Sequence, residues 1–196
     1  REILPVEGRN AEGMNDLVMA DEGIRFDASL DKLAGLNPVT EGGVITAGNA
    51  SQITDGAAAV MVCNDAGLKK IQANPRAEIV SISVVGDDPV FMLTGPIPAS
   101  IQALKTANLT IDDMDLYEVN EAFAPVPLAW AEDLKADRSK LNVNGGAMAL
   151  GHPLGATGAK LMTTLLHEME RRESTYGLQA ICEGGGTANA TIIKRI

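Results

Sequence analysis

Three observations predict an α/β fold for this chain. From residue 78 onward, short strand-like runs alternate with helix-like segments, the pattern of a layered α/β structure. Hydrophobic residues make up 45% of the 196 residues and charged residues 21%, which predicts a packed core rather than disorder. Aromatic residues are only 3%. Abundant alanine and glycine therefore favour closely packed helices and strands over a surface on which bases stack.

The first predicted elements depend on apolar spacing and on one proline. In chain order, the sequence predicts a short helix at 30–36, a strand at 57–63, a helix at 65–73, a strand at 78–85, a helix at 98–108, a strand at 116–119, a helix at 121–135, an extended piece at 141–144, a helix at 156–172, and strands at 177–182 and 191–194. The first helix has leucines at helical spacing, and residues 1–50 are otherwise expected to be irregular. The run 57–63 is continuously apolar, as in a strand buried on both faces, which makes Cys63 a core residue. The helix that follows stops at Pro75, because proline disfavours helical geometry in the residue before it.

Proline and glycine mark the later boundaries. The strand after residue 77 ends at Gly86, and the next helix has a proline in its first turn, where the missing N–H costs little. Pro125 and Pro127 predict irregular first turns for the helix at 121–135. Leucines and methionines at helical spacing support the helix at 156–172. The last two strands lie close enough in sequence to form a hairpin.

Charge and residue usage exclude several classes of partner. A formal net charge of −10 argues against nucleic acid or an acidic membrane surface as the main partner. No apolar run is long enough for a transmembrane helix, and no leader pattern is present, so a cytoplasmic location is expected.

Cys63 and Cys182 are expected to be free thiols. The dispersed cysteines and histidines predict no metal site. The chain begins with Arg1 rather than methionine, and we expect it to be a piece of a longer polypeptide.

One histidine lies in a loop that suits a ligand site. His152 lies within the glycine-rich stretch 142–158, directly before Pro153. Glycine allows positive φ and close backbone approach to a ligand, while proline restricts the local path. The pattern predicts an imidazole held in a site that a ligand enters; the alternative is a histidine that only braces the loop. The other histidine, His167, is expected on a helix surface.

Two further polar groups have both a functional and a structural interpretation. Cys182 ends an apolar strand before three glycines, as a reactive thiol or as a small buried hydrophobic residue. Asn120 and Glu121 follow a strand end, where they either serve the site or cap the next helix. Cysteine, histidine and asparagine together also suit a cysteine hydrolase, in which histidine activates the thiol and asparagine orients histidine.

Three segments in order resemble the C-terminal signature motifs of thiolases. They are Asn120-Glu121-Ala122-Phe123, residues 145–158, and Cys182-Glu183-Gly184-Gly185-Gly186. Residues 46–51, 55–59 and 94–99 resemble further thiolase segments. The resemblance covers nearly the whole chain and implies a thiolase-like layered fold. It implies that residues 1–51 end the coenzyme A-binding loop domain, that 52–74 are the last strand and helix of the N-terminal domain, and that 75–196 are the C-terminal domain.

The resemblance implies acyl transfer between a 3-ketoacyl-CoA and coenzyme A, as thiolysis or the reverse Claisen condensation, in fatty acid metabolism and β-oxidation. It makes Cys182 the general acid/base at the acetyl-CoA carbon. His152 activates the nucleophile and donates to the thioester oxygen. Asn120 holds a water in that oxyanion hole, and the amide of Gly184 contributes to the other one. Fixed donors of this kind stabilise developing oxyanions.

Coenzyme A and acyl-CoA are then substrates, and no permanently bound cofactor is expected. The resemblance assigns six positions to coenzyme A: Arg25 near the adenine, Ala47, Ser51 and Ile53 along the pantetheine, and Met92 and Phe123 lining the pocket. A local cation at Arg25 would allow an acidic chain to bind an anionic substrate.

The sequence departs from the thiolase pattern in two ways. Ala188 and Gln52 stand where glycine is frequent in the family, and alanine would be costly at a position that needs positive φ. In addition, no residue matches the family's nucleophilic cysteine or the histidine of its coenzyme A loop. We therefore expect an N-terminal thiolase part that carries this cysteine, a homo-oligomeric complete enzyme, and no activity from this chain alone. The alternatives are a non-catalytic subunit that binds coenzyme A or a partner, and the Cys-His-Asn hydrolase.

Overall fold

A computed structural model describes residues 3–10 and 12–196, so Arg1, Glu2 and Ala11 of the predicted loop-domain segment lie outside it. In chain order, the described elements are β1 (Val6–Arg9), β2 (Asn15–Val18), α1 (Leu30–Ala34), α2 (Asp65–Ile71), β3 (Ala77–Gly86), α3 (Pro96–Ala107), β4 (Leu116–Val119), α4 (Pro125–Leu134), α5 (Ala147–Leu150), α6 (Thr157–Arg172), β5 (Tyr176–Cys182) and β6 (Thr187–Arg195). The predicted order of strands and helices from residue 78 onward is confirmed, with the extended piece at 141–144 as the exception.

The C-terminal elements form three layers around one mixed sheet. The strand order is β3-β6-β5-β4, in which β4 and β5 are parallel and the other pairs are antiparallel. The predicted hairpin of β5 and β6 is therefore confirmed. Side chains alternate between the two faces of a strand. Helix α3 packs on one face and contacts α4, while α6 packs on the other, so the central strands are covered on both sides.

The α3–α4 side of the sheet contains the largest buried side chains. Trp130 and Tyr117 are almost fully buried and pack edge to face, with ring centroids 5.2 Å apart. The indole Nε1 of Trp130 donates to Ser100 Oγ at 2.8 Å, which satisfies both buried polar groups. Burial, with the charges of Asp137 and Asp112, raises the pKa of Tyr117 to about 12. This side of the sheet is therefore a dry, well-filled core.

The α6 side combines a small apolar cluster with a buried carboxylate. The cluster consists of Leu116, Leu165, Met169 and Ile193. Glu168 is almost fully buried beside it and accepts a hydrogen bond from Asn144 Nδ2 at 2.9 Å. Its carboxylate also pairs with Arg171 and Arg172, one turn further along α6. The helix is thereby tied to the loop that precedes α5.

The apolar run 57–63 differs from its prediction. The structure assigns no strand there, and Met61 and Val62 are 75% and 70% exposed. Cys63 is exposed, so its prediction as a core residue is wrong for this chain. A buried strand needs neighbouring strands on its edges and layers on its faces, and no described residue pairs with this run. The predicted irregularity of residues 1–50 is also wrong in part, because β1 and β2 form an antiparallel hairpin.

Two later elements are shorter than predicted. Helix α4 begins at Pro125 rather than at residue 121, as its prolines suggested. At 141–144 only Leu141 forms a bridge, to Tyr117, because Asn142 takes a φ of 46° and turns the chain away. The amide of Asn142 then takes the place of a strand, since its Oδ1 and Nδ2 each bond the backbone of Val119 at 2.9 Å.

The alanine at 188 fits the fold without strain. Ala188 lies within β6, and its φ is not positive, so the cost considered for this position does not arise. Its side chain is fully buried against Gly95. A Cβ added at Gly95 would lie 2.7 Å from the Cβ of Ala188, so the missing side chain at 95 makes room for the one at 188.

Candidate active site

Asn120 and Cys182 lie at one edge of the sheet. Asn120 directly follows β4, Cys182 ends β5, and the carboxyl ends of parallel strands meet at the same edge. The backbone N–H of Asn120 donates to Ala180 O at 3.0 Å, which continues the ladder to this point. Both side chains are buried. Helix α4 begins five residues later, at Pro125, and its N-cap residue is Ala124, which makes no side-chain cap hydrogen bond, so Asn120 does not cap it.

His152 is held from both ring nitrogens. Its Nε2 lies 3.4 Å from Asn120 Nδ2, and its Nδ1 lies 2.6 Å from Thr157 Oγ1. Its backbone N–H donates to Gln52 O at 2.8 Å. The fold therefore places the His152 imidazole between Asn120 and Thr157.

The environment of His152 favours the neutral imidazole. Burial lowers the pKa of His152 below its ordinary value, and the positive charge of Lys160 lowers it further. The ammonium of Lys160 donates to Leu150 O at 3.0 Å and to Gly151 O at 3.1 Å, the carbonyls just before the histidine. A neutral ring held between two polar side chains is suited to accept a proton.

Glycine is required at two positions around the histidine loop. Gly151 has a φ of 84°, and a Cβ there would overlap Thr54. A Cβ at Gly146 would overlap the carboxylate of Glu121. That carboxylate accepts hydrogen bonds from Asn142 Nδ2 at 2.9 Å and from Met148 N at 3.2 Å. Glu121 therefore ties the segment after β4 to the histidine loop, instead of capping α4.

Cys182 has the environment of a protonated thiol. Burial raises the pKa of Cys182, and the neighbouring charge of Glu183 adds to the shift. At neutral pH the group therefore keeps its proton. The following turn, Gly184–Gly186, contains two positive φ values, 77° at Gly185 and 84° at Gly186. Gly184 is exposed, and a Cβ there would meet no atom within 4 Å.

The structure brings three of the positions predicted for coenzyme A to this edge. Residues 49–53 run between the segment after Asn120 and the histidine loop. The backbone N–H of Ser51 donates to Ala122 O at 3.0 Å, Ala50 bridges Phe123, and Ile53 bridges His152. The Ile53 side chain is 84% exposed.

The other three positions lie further out. Arg25 and Ala47 are exposed, and the turn before Arg25 is linked to this region by Gln52 Nε2, which donates to Gly23 O at 3.1 Å. Met92 is half-buried, with a φ of 32°, in the turn after β3. That turn contacts the glycine turn Gly184–Gly186, because Asp87 N donates to Gly186 O at 2.6 Å. Among the described residues, no hydrogen bond or strand bridge joins these three positions to His152, Asn120 or Cys182.

Sequence reasoning assigned no role to Thr157 or Lys160, although both contact the histidine loop. Both lie in the first turn of α6. The only sequence feature that could have pointed to them is their position as polar residues shortly after Pro153. In the part of the chain that the structure describes, no group of histidine, cysteine, aspartate or glutamate side chains could hold a metal ion. No described helix is both long and apolar enough to cross a membrane.

The arrangement suits proton transfer and oxyanion stabilisation. A neutral imidazole, an amide donor and a buried protonated thiol share one edge of the sheet with a glycine turn. The side-chain Oδ1 of Asn120 is buried and accepts no hydrogen bond from any described residue. A buried acceptor of this kind calls for a water or a ligand group.

Comparison with known proteins identifies relatives over both parts of the chain. Residues 73–195 match the family model described as "Thiolase, C-terminal domain", and residues 1–66 match "Thiolase, N-terminal domain". A curated relative, steroid 3-ketoacyl-CoA thiolase FadA6 of Mycobacterium tuberculosis, is 60% identical over 90% of this chain and 43% of its own length. The chain spans about half the length of the curated relatives it matches.

Two solved structures have the same fold. The acetyl-CoA acetyltransferase of Bacillus anthracis is 39% identical with a TM-score of 0.92, over 99% of this chain and 49% of that one. Human mitochondrial 3-ketoacyl-CoA thiolase in complex with CoA is 44% identical with a TM-score of 0.84, over 92% of this chain and 46% of that one. The predicted thiolase-like layered fold is thereby confirmed.

Proposed function

The chain belongs to the thiolase family, and from that premise we propose that it takes part in acyl transfer between a 3-ketoacyl-CoA and coenzyme A. The observation that carries the proposal is the placement of His152 against Asn120 at the edge where Cys182 ends β5. Acetyl-CoA is released in the thiolytic direction, and the reverse direction is a Claisen condensation. Relatives named as thiolases and acetyltransferases support this class of reaction.

We assign Cys182 the role of general acid and base. In thiolysis a nucleophilic thiolate adds to the C3 carbonyl, the C2–C3 bond breaks, and its electron pair remains on C2 of the departing acetyl-CoA. The Cys182 thiol then gives its proton to C2. A buried thiol with a raised pKa supports this role, because it stays protonated until a carbanion forms.

We assign His152 the first proton transfer. Its Nε2 takes the proton of the nucleophilic thiol, and the resulting N–H donates to the thioester oxygen. Asn120 completes that oxyanion hole by holding a water, and its unsatisfied buried Oδ1 supports such a role. The N–H of Gly184 serves the second oxyanion hole; the open space around this residue leaves room for a substrate.

The nucleophile in this proposal comes from an N-terminal thiolase part. Cys182 is unsuited to be the resting nucleophile, because burial raises its pKa and the thiolate is the reactive form. The exposed apolar run 57–63 supports a partner, since such a surface marks an interaction site.

We further propose that 1–51, 52–74 and 75–196 are the loop-domain, N-terminal-domain and C-terminal-domain portions. The complete enzyme is proposed to be a homo-oligomer, and this chain alone to be inactive. A cytoplasmic location remains a prediction from the sequence.

Coenzyme A and acyl-CoA thioesters are the proposed substrates. The six positions Arg25, Ala47, Ser51, Ile53, Met92 and Phe123 are proposed to line the coenzyme A site. The bridges of Ile53 with His152 and of Ala50 with Phe123 support an entry path beside the imidazole. The CoA complex of the human relative supports the ligand class.

The test uses the complete enzyme that contains this chain and, separately, this chain alone. Acetoacetyl-CoA, a long-chain 3-ketoacyl-CoA and a steroid 3-ketoacyl-CoA are each supplied with coenzyme A; the steroid substrate follows from the name of the 60% identical relative. Mass spectrometry then measures acetyl-CoA and the shortened acyl-CoA. Their formation by the complete enzyme is expected. Release of free acid would instead indicate the hydrolase, and coenzyme A binding without turnover would indicate a non-catalytic subunit.

Two variants separate the proposed roles. Cys182→Ser is expected to abolish exchange of the acetyl-CoA C2 protons with deuterated solvent, while acylation of the nucleophile persists. His152→Ala is expected to slow both half-reactions by about 10²–10⁴-fold, the usual contribution of general acid–base catalysis. His167→Ala, on the exposed face of α6, is the matched control and should turn over normally. Normal turnover by Cys182→Ser would remove that thiol from the mechanism.

A further inference from the structure

Thr157 contacts His152 on the side opposite to Asn120. It is the first residue of α6, and it is only 4% exposed. Its Oγ1 lies 2.6 Å from His152 Nδ1 and 3.0 Å from Pro153 O. A hydroxyl has one hydrogen, and a carbonyl oxygen can only accept. When that hydrogen goes to Pro153 O, an oxygen lone pair of Thr157 is left to accept from Nδ1–H.

The other ring nitrogen leads to the same assignment. Nε2 of His152 lies 3.4 Å from Asn120 Nδ2, an amide nitrogen that can only donate. With the amide in this orientation, Nε2 presents its electron pair. The hydrogen bonds on the two sides of the ring thus agree on one neutral tautomer, with the proton on Nδ1. The charged group that acts on the ring is Lys160 of α6, while the segment after β4 contributes the uncharged Asn120 and residues 49–53 contribute backbone.

We propose that Thr157 is a positioning residue that holds His152 in the Nδ1-protonated neutral tautomer, so that the unprotonated Nε2 is the proton acceptor of the site. The inference rests on the proposed function for its catalytic consequence, because Nε2 is the atom that takes the nucleophile's proton. When that proton arrives, Thr157 Oγ1 still accepts from Nδ1–H, and only the 3.4 Å contact between Nε2 and Asn120 Nδ2 has to give way. The wrong tautomer would place a hydrogen on Nε2 and block this transfer.

Nuclear magnetic resonance of the ¹⁵N-histidine-labelled chain tests the tautomer directly. The chain has only two histidines, and His167→Gln assigns the signals. Long-range ¹H–¹⁵N correlations distinguish which ring nitrogen carries the proton. We expect Nδ1–H at His152 in the wild type and in Thr157→Ser, and a mixture with Nε2–H in Thr157→Val. An Nε2–H wild type would overturn the proposal; in that arrangement Thr157 donates to Nδ1 and Asn120 turns its oxygen to the ring.

Kinetics in the complete enzyme test the consequence. Thr157→Val is expected to lower kcat by about 10–100-fold with little change in KM, and Thr157→Ser to restore it. Thr163→Val is the matched control, because that hydroxyl on the same helix donates only to Ala159 O at 2.8 Å. An unchanged kcat in Thr157→Val would overturn the positioning role. If the valine variant fails to fold, the spectra of the wild type and of Thr157→Ser still decide the tautomer. Loss of acyl transfer in the wild type itself would instead overturn the proposed function and leave the tautomer result intact.

Discussion

The two ends of this chain differ in how far they bury their own side chains. Residues from Ser81 onward form a sheet with helices on both faces and a filled core around Trp130. Before Ser81, no described residue is buried, although the segment is rich in apolar side chains. The comparison teaches that an apolar run becomes a strand only where other strands and helices cover it. Residues 57–63 have the composition of a buried strand and lack the neighbours.

The candidate site lies where these two regions meet. Residues 49–53 belong to the exposed region, yet their backbone bonds to Ala122 and His152 attach them to the packed one. The packed region therefore supplies the rigid groups of the site, Asn120, His152 and Cys182. The exposed region contributes residues such as Ile53, which the proposal assigns to the substrate.

The largest expected loss of stability comes from removing the Trp130 side chain in the packed region. Trp130→Ala should reduce the free energy of unfolding by about 3–5 kcal/mol, because it leaves a cavity and an unpaired Ser100 hydroxyl. Urea unfolding followed by circular dichroism measures this, since the chain has no other tryptophan to report fluorescence.

Phe26→Ala is the control from the exposed region. Phe26 is 91% exposed, so its removal should change the free energy of unfolding by less than about 0.5 kcal/mol. A loss at Phe26 as large as that at Trp130 would break the comparison, because it would place a second core before residue 81.

The next effect concerns the turn after Cys182. Gly186 has a φ of 84°, and a Cβ there would lie 2.8–3.0 Å from backbone atoms of residues 87–89. Gly186→Ala should therefore cost about 2–4 kcal/mol in unfolding free energy, from left-handed backbone strain and overpacking together.

Gly86→Ala, in the neighbouring strand β3, is the matched control. Its φ is not positive, and a Cβ there would meet no atom within 4 Å, so we expect little change. Equal losses from the two substitutions, measured by urea unfolding, would contradict the packing of the turn against residues 87–89.

A smaller effect comes from the buried carboxylate of Glu168. Glu168→Gln should cost about 1–2 kcal/mol at neutral pH, because it weakens charge-assisted hydrogen bonds to Arg171 and Arg172. Burial acts to raise the pKa of this carboxyl, but its three hydrogen-bonded side chains outweigh burial and hold the pKa below the ordinary value of 4.5. The stabilisation is therefore complete above about pH 4.5 and is lost as the pH falls through the lower folded-state pKa.

Unfolding free energies of wild type and variant between neutral pH and about pH 3 measure this dependence. Glu170→Gln is the control, since its ion pair with Arg76 is partly exposed and should contribute less than about 1 kcal/mol. A difference for Glu168→Gln that does not shrink at low pH would show that the carboxylate charge is not its cause.

The smallest expected effect is on the chemical reactivity of the two thiols and not on stability. Cys63 is exposed and Cys182 is buried with a raised pKa, so maleimide should label Cys63 at least about tenfold faster. Mass spectrometry of the single-cysteine variants Cys63→Ser and Cys182→Ser measures each rate. Faster labelling at Cys182 would contradict its burial. An N-terminal thiolase part should slow the labelling of Cys63, as expected if it covers residues 57–63.

Much of the packed region could be predicted from residues a few positions apart. Helix α6 follows from leucines and methionines at helical spacing, and β3 from an apolar run that ends at Gly86. Asn120, His152 and Cys182 were identified through their motifs, and the fold brings the first two into contact. The run 57–63 was predicted incorrectly, because composition cannot show whether a strand has neighbours.

The sequence by itself determined the order of the C-terminal elements, the excess of negative charge and the residue types available for proton transfer. Residue spacing, proline and glycine act on the local backbone, and net charge is a simple sum over the residues. Their consequences can therefore be predicted from the sequence alone. Only the tertiary structure decided that Asn120 faces an imidazole instead of capping a helix, and that Thr157 Oγ1 lies 2.6 Å from the Nδ1 of that imidazole. Those outcomes depend on contacts between groups that are distant in sequence. Asn120 and His152, for example, are 32 residues apart. In our proposal, the hydroxyl of Thr157 then determines which nitrogen of the ring takes up the proton.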